Sequence, residues 1–176
     1  MNGNAFQSSF ELLTESGTGH GYGGSTEAGA PMKSHTRTVT VQSSPKALYA
    51  ALSDLQDWPK WDADIVHIDH DGSRPKQGTR FTLKPRGGPK TTLVVEVAQE
   101  PTRFVDVALL PLCRMRTSHE FISEDHCTTQ VRVTIETFGL LSFVWERVIA
   151  RKQLAGLEHQ IQAMAEYAKK FTGTSH

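Results

Sequence analysis

Asp54-Leu-Gln-Asp-Trp-Pro-Lys-Trp-Asp62 is the stretch on which the reading of this chain turns. Trp58 and Trp61 stand on either side of the Pro59-Lys60 pair, after a short helical pattern and before a long run of strand-like segments. Each indole buries roughly 150–250 Å², worth roughly 4–6 kcal/mol at about 25 cal/mol per Å². A chain in water rarely leaves that much apolar surface exposed. Both rings are therefore expected to meet a core or a cavity.

Upstream of this stretch, Thr36-Arg-Thr-Val-Thr-Val-Gln42 is β-branched and reads as a strand. Ser44 and Pro45 then supply a helix cap and a first helical position, and Ala47, Leu48, Ala51, Leu52 and Leu55 make an apolar face. Trp58 to Trp61 forms a second short helix or turn. Downstream, Ile65–Ile68 is a strand that ends before Asp71-Gly72. Gly78 opens another, with Phe81 and Leu83 on one face. Pro85-Arg-Gly-Gly-Pro89 is a hairpin turn, and Leu93, Val95 and Val97 alternate in the strand after it. Phe104–Leu110, Met115–Ile122 and Thr128–Phe138 complete about six hairpin-linked strands. From about Leu140 the period changes from two to nearly four. Val144, Val148, Leu154, Leu157, Ile161, Met164, Ala168 and Phe171 mark the stripe of one long helix, stopped near Gly173. About 30 residues of helix span roughly 45 Å and must pack along a sheet. Sequential antiparallel strands curl as they twist, and a curled sheet closed by a helix encloses a space. The class is α+β.

The chain has 176 residues and 38% apolar content, enough for a domain with its own core. Lys+Arg and Asp+Glu are both 19, so no bulk charge draws it to nucleic acid or anionic lipid. No apolar run approaches the roughly 20 residues of a membrane span. Without a secretory leader, a cytoplasmic protein is expected. A hairpin turning near Asp125 would set Cys127 beside Ser123 and Cys113 beside Thr137, too far apart to bridge. Residues 1–31 are rich in Gly, Ser and Thr and are expected to form a flexible tail outside a domain at 32–176. Phe6, Phe10 and Leu13 give that tail one alternative role, as a docking peptide.

The order of elements, with Ser44-Pro-Lys-Ala-Leu-Tyr-Ala-Ala-Leu-Ser-Asp54, Trp58-Pro-Lys-Trp61, Gly78-Thr-Arg-Phe81 and Glu100-Pro-Thr-Arg-Phe104, resembles the START/Bet v 1-like (SRPBCC) superfamily. Within it, the polyketide cyclase/dehydrase and lipid-transport branch is the nearest likeness, over about residues 35–172. The resemblance implies a helix-grip fold, a curved antiparallel sheet of six to seven strands wrapped around the C-terminal helix and an apolar cavity. It also implies a hydrophobic guest, such as a lipid, polyketide or quinone-like molecule. The superfamily has no universal catalytic motif, so none is transferred.

Candidate cavity walls are Trp58, Trp61, Phe81, Leu83, Phe104, Met115, Phe121, Val144, Trp145 and Val148, each of which could instead be ordinary core. Trp145 is offset from the helix stripe, so it either caps the cavity or faces solvent. His119 shares strand parity with Met115 and Phe121. If that face points inward, burial keeps the imidazole neutral and able to line a site or move a proton. Tyr49, on the first short helix, either orients a ligand or snorkels at the surface. Arg114 and Arg116 have the opposite parity and are expected in solvent. His67, Asp69 and Asp71 read as a solvated face rather than a metal site, and Lys84, Arg86 and Lys90 as a solvated turn rather than a site for an anionic head group or carrier protein. No cofactor or metal is expected, and any protein partner is left open.

Three functions compete. One is a carrier that holds a hydrophobic molecule between sheet and helix, with Trp58 and Trp61 lining or gating the mouth. Another is a metal-free cyclase or dehydratase in which His119, helped by Tyr49, handles protons. The last is an interaction module acting through the tail or the basic hairpin.

Overall fold

A computed structural model describes residues 33–125 and 127–172. The expected tail and Gly173 lie outside them.

Strand β1 (Lys33–Gln42) leads to α1 (Pro45–Ser53). The Ser44 hydroxyl accepts from the Ala47 N–H at 3.3 Å, and Pro45 starts the helix without needing a donor. A 3-10 turn (Leu55–Asp57) runs into α2 (Trp58–Trp61). Six strands follow: β2 (Ile65–Asp69), β3 (Arg80–Pro85), β4 (Thr91–Gln99), β5 (Arg103–Leu110), β6 (Cys113–Ser123) and β7 (Thr128–Phe138). They build one antiparallel sheet of seven strands in the order β1-β7-β6-β5-β4-β3-β2. The last helix, α3, joins an α segment (Ser142–Trp145), a π turn (Glu146–Ala150) and a second α segment (Arg151–Ala168), ending in a 3-10 turn (Lys169–Phe171). It packs on α1, β1 and α2. This is the helix-grip arrangement.

The ladders define the concave face. Phe104 faces His119, which faces Val133. Asp106 faces Thr117, which faces Ile135, and Ala108 faces Met115, which faces Thr137. The core lies between this face and the helices, with Leu48, Phe104, Val131, Val133, Ile161 and Met164 almost wholly enclosed.

Three local expectations need correction. A bulge between Val95 and Val97 breaks the alternation in β4. It sets Val97 opposite Val105 on the convex face, while Leu93 and Val95 stay in the core. The β6–β7 register pairs Ser123 with Thr129 and Met115 with Thr137, so Cys127 sits outside the ladder and Cys113 lies two residues beyond Met115, past the last β6–β7 pair at Arg114. Both cysteines are free, Cys113 buried and Cys127 exposed. The stripe of α3 also changes phase. The buried positions are Trp145, Ala150, Leu157, Ile161, Met164 and Ala168, whereas Val144, Val148 and Leu154 are half-buried. The π turn carries one extra residue, which rotates everything before it by about 100° relative to an unbroken α-helix. Trp145 is thereby turned inward rather than to solvent, and its Nε1 donates to Pro111 O at 3.0 Å.

Two polar clamps hold α3. Glu146, buried in the π turn, accepts from Arg151 Nε at 3.0 Å and lies 3.3 Å from His35 Nε2 on β1. At the other end, Tyr167 donates to the Asp57 carboxylate, and Lys170 reaches the same carboxylate at 3.1 Å. Hydrogen bonds from Lys60 and then Tyr167 hold Asp57 well below the usual carboxylate range. Among the described residues no helix is long and apolar enough to cross a membrane.

Candidate functional site

The predicted wall residues fall into two aromatic clusters and a more open remainder. In the first cluster Tyr49, on the sheet-facing side of α1, meets Phe104 edge-on at 6.2 Å and Phe121 at 6.3 Å between ring centroids. Phe104 is 0% exposed, so it touches only protein, and Tyr49 is buried rather than snorkelling. In the second cluster Trp58 meets Phe81 at 5.5 Å and Trp61 at 6.1 Å, and its Nε1 donates to Leu52 O at 2.8 Å. The Leu55 to Trp61 stretch is pinned because its side chains plug the core and Asp62 receives Gln160 from α3. Met115 is buried beside Ala108, while Leu83, Val144 and Val148 keep partial access to solvent.

His119 lies on the concave face, as its parity predicts, and burial pushes its imidazole pKa down to about 4. Sequence reading passed over a second group there. Asp106 is 5% exposed, and burial alone lifts its carboxyl pKa to about 7. The signal was available: Asp106 shares parity with Phe104 in the otherwise apolar strand Phe104-Val-Asp-Val-Ala-Leu-Leu110. Thr117 faces Asp106 at the middle of the sheet and is half-buried.

Several polar atoms around this face have no internal partner. Among the described residues, His119 Nδ1, Thr137 Oγ1 and Trp61 Nε1 are buried without a hydrogen bond. Most buried polar atoms in folded proteins are satisfied, so these orphans, two on the sheet face and one on α2, stand out. The chemistry they offer is a donor–acceptor wall in apolar surroundings. At neutral pH it carries an uncharged imidazole and a carboxyl near its midpoint.

The other sequence candidates are occupied locally. Asp71 lies beyond β2 and accepts from Ser73 N, through Oδ1, at 2.9 Å. Among the described residues no three His, Cys, Asp or Glu side chains gather as metal ligands. Lys84 donates to Gly88 O at 2.6 Å within its own turn, and Arg86 donates to Ala63 O at 3.1 Å, tying that turn to the segment before β2. Arg116 faces the convex side, paired with Glu96 and Glu136. Two surface grooves are present, of about 410 Å³ beside β2 and β3 and about 260 Å³ between β1 and α3. Of the predicted walls, only Phe81 borders either.

A seven-stranded antiparallel sheet gripping a long C-terminal helix is the fold of the START/Bet v 1-like class. The profile of the family described as polyketide cyclase / dehydrase and lipid transport matches residues 32–169, and the chain belongs to that family. Solved structures agree on the fold. A START superfamily protein from Mycobacterium smegmatis superposes with a TM-score of 0.60 at 15% identity, covering 78% of this chain and 98% of that one. The Zhui aromatase/cyclase from Streptomyces sp. R1128 gives 0.60 at 16% identity, covering 81% and 96%. A hypothetical protein from Helicobacter pylori gives 0.66 at 14% identity, covering 80% and 90%. No curated protein matches the sequence.

Proposed function

We propose that the protein binds one hydrophobic small molecule between the concave face of the sheet and α3. The observation that carries this reading is the set of unpartnered buried polar atoms, His119 Nδ1, Thr137 Oγ1 and Trp61 Nε1, in otherwise apolar surroundings. Family membership supports it, since the family description covers lipid transport as well as cyclisation. Apolar burial supplies the affinity, and the polar groups orient the guest. Val148, half-buried on the π turn, faces this space in the proposal, with Leu83 and Val144 near it. Trp61, the more exposed of the two indoles in α2, borders the entrance, and Trp58 is the pillar behind it.

Titration with Nile red, an uncharged dye that brightens in apolar surroundings, tests the reading. Saturable 1:1 enhancement is expected, lost in a folded Val148→Trp variant whose larger side chain fills the space. Unchanged binding by that variant would place the guest elsewhere.

A catalytic reading is favoured by one observation, the neutral imidazole of His119 on the same face as a buried carboxyl. Such a pair can move a proton to or from a bound carbonyl compound. Turnover of a polyketide-like substrate that is unaffected by His119→Ala would remove His119 from that chemistry.

A further inference from the structure

Asp106 and Thr117 stand directly opposite each other on β5 and β6, and His119 follows two residues along β6 on the same face. Diagonal neighbours of this kind have Cα atoms about 7–8 Å apart and Cβ atoms somewhat closer. Asp106 and His119 are both more than nine-tenths buried. They do not form an ion pair with each other, and His119 Nδ1 has no hydrogen-bond partner among the described residues. Phe104, Met115 and Val133 lie near them on the same face, and Thr117 between them is half-buried.

No positive charge supports this wall. Among the described residues every lysine and arginine is exposed or half-buried, and the only ones with concave-face parity, Lys33 and Arg37, are exposed on edge strand β1. A carboxylate guest placed against Asp106 would be buried with no counter-charge, which costs several kcal/mol. A hydroxyl or carbonyl oxygen has no such penalty. It can accept from one of the two groups and, if a hydroxyl, donate to the other.

We infer that Asp106, together with His119, is the polar anchor of the interior site and selects an uncharged hydroxyl- or carbonyl-bearing apolar compound over its carboxylate counterpart. The inference rests on the interior binding proposed above and narrows its ligand class. Carboxyl-first entry of a fatty acid is excluded, whereas phenols, alcohols and ketones are admitted. At about pH 6 burial keeps the carboxyl protonated and the imidazole neutral, so each presents the form the anchor needs.

Three probes that share one ring system separate the possibilities: naphthalene, 2-naphthol and 2-naphthoate, titrated by calorimetry into the full chain at about pH 6. The wild type is expected to bind 2-naphthol about tenfold more tightly than naphthalene, the worth of one hydrogen bond to a buried group, and 2-naphthoate more weakly than either. Asp106→Leu should abolish the preference for 2-naphthol while binding naphthalene within about twofold of wild type, and Asp106→Asn, which keeps a donor, should retain it. Circular dichroism checks the fold of each variant. If Asp106→Leu does not fold, the comparison of the three probes in the wild type still decides. Binding of 2-naphthoate as tight as that of 2-naphthol overturns the inference and leaves the binding site standing, as does an unchanged preference in a folded Asp106→Leu. Failure of all three probes to bind overturns the interior site itself and the inference with it.

Discussion

At the scale of single residues, the protein spends stability on the wall it presents to its interior. Asp106 has a folded-state pKa of about 7 against an ordinary value of 3.8, because burial disfavours its charge. A raised carboxyl pKa contributes stability that is intact below about pH 4 and is lost as pH rises towards 7. The full difference is about 4 kcal/mol at most, from roughly three units at 1.36 kcal/mol each. Asp106→Asn should therefore leave the melting temperature nearly unchanged near pH 3.5 and raise it by roughly 10 °C near pH 8, read by thermal unfolding at both values. An equal effect at the two pH values would mean that Asp106 is not buried as an acid. His119 runs the other way. Its pKa is lowered to about 4 from 6.5, so its contribution is intact above about pH 6.5 and is lost as pH falls towards 4. Gly139 makes a purely steric case. Its φ is +106°, and a Cβ there would lie 2.6 Å from Leu112 O. Gly139→Ala should cost more than about 2 kcal/mol in urea unfolding, and a cost near zero would show that the β5–β6 turn yields. Half of the polar wall was legible in the sequence: strand parity found His119 among apolar neighbours, and the same parity holds for Asp106. What parity cannot show is which polar atoms the fold leaves unsatisfied, because that depends on contacts made between distant strands and helices.

At the scale of elements, the strands and helices were readable because their periods are strong, two in β3 to β7 and near four after Leu140. Two irregularities escaped. The β4 bulge and the π turn of α3 each add one residue to an otherwise regular repeat, and a period read from hydrophobic residues alone passes across such an insertion. The π turn has a consequence for Trp145. Deleting exposed Arg147 would restore an unbroken α-helix and rotate Trp145 away from Pro111. The deletion should destabilise the fold by about 3–5 kcal/mol, the usual cost of losing a buried large aromatic, and red-shift the tryptophan emission. Unchanged emission would mean that the turn does not set the position of Trp145. The far end of α3 depends instead on the Asp57 carboxylate, which receives both Tyr167 and Lys170. Tyr167→Phe should cost about 1–2 kcal/mol in chemical denaturation, since one hydrogen bond to a charged acceptor is lost. No measurable cost would assign the hold to Lys170 alone.

At the scale of the molecule, strand order and the long terminal helix fix the grip, and both were visible in the order of segments along the chain. The contents of the grip were less visible, because an aromatic side chain that lines a cavity and one that fills a core have the same composition and the same period. Tyr49, Phe104 and Phe121 pack ring on ring, whereas Thr117 and Val148 are half-buried, and the proposal places the guest beside these two and His119. The most direct test is native mass spectrometry of the full chain after incubation with an extract of apolar metabolites. The account predicts a single adduct at one molecule per chain, displaced by 2-naphthol and absent from folded Val148→Trp. A protein that stays at its bare mass, or an adduct that persists unchanged in that variant, would contradict it.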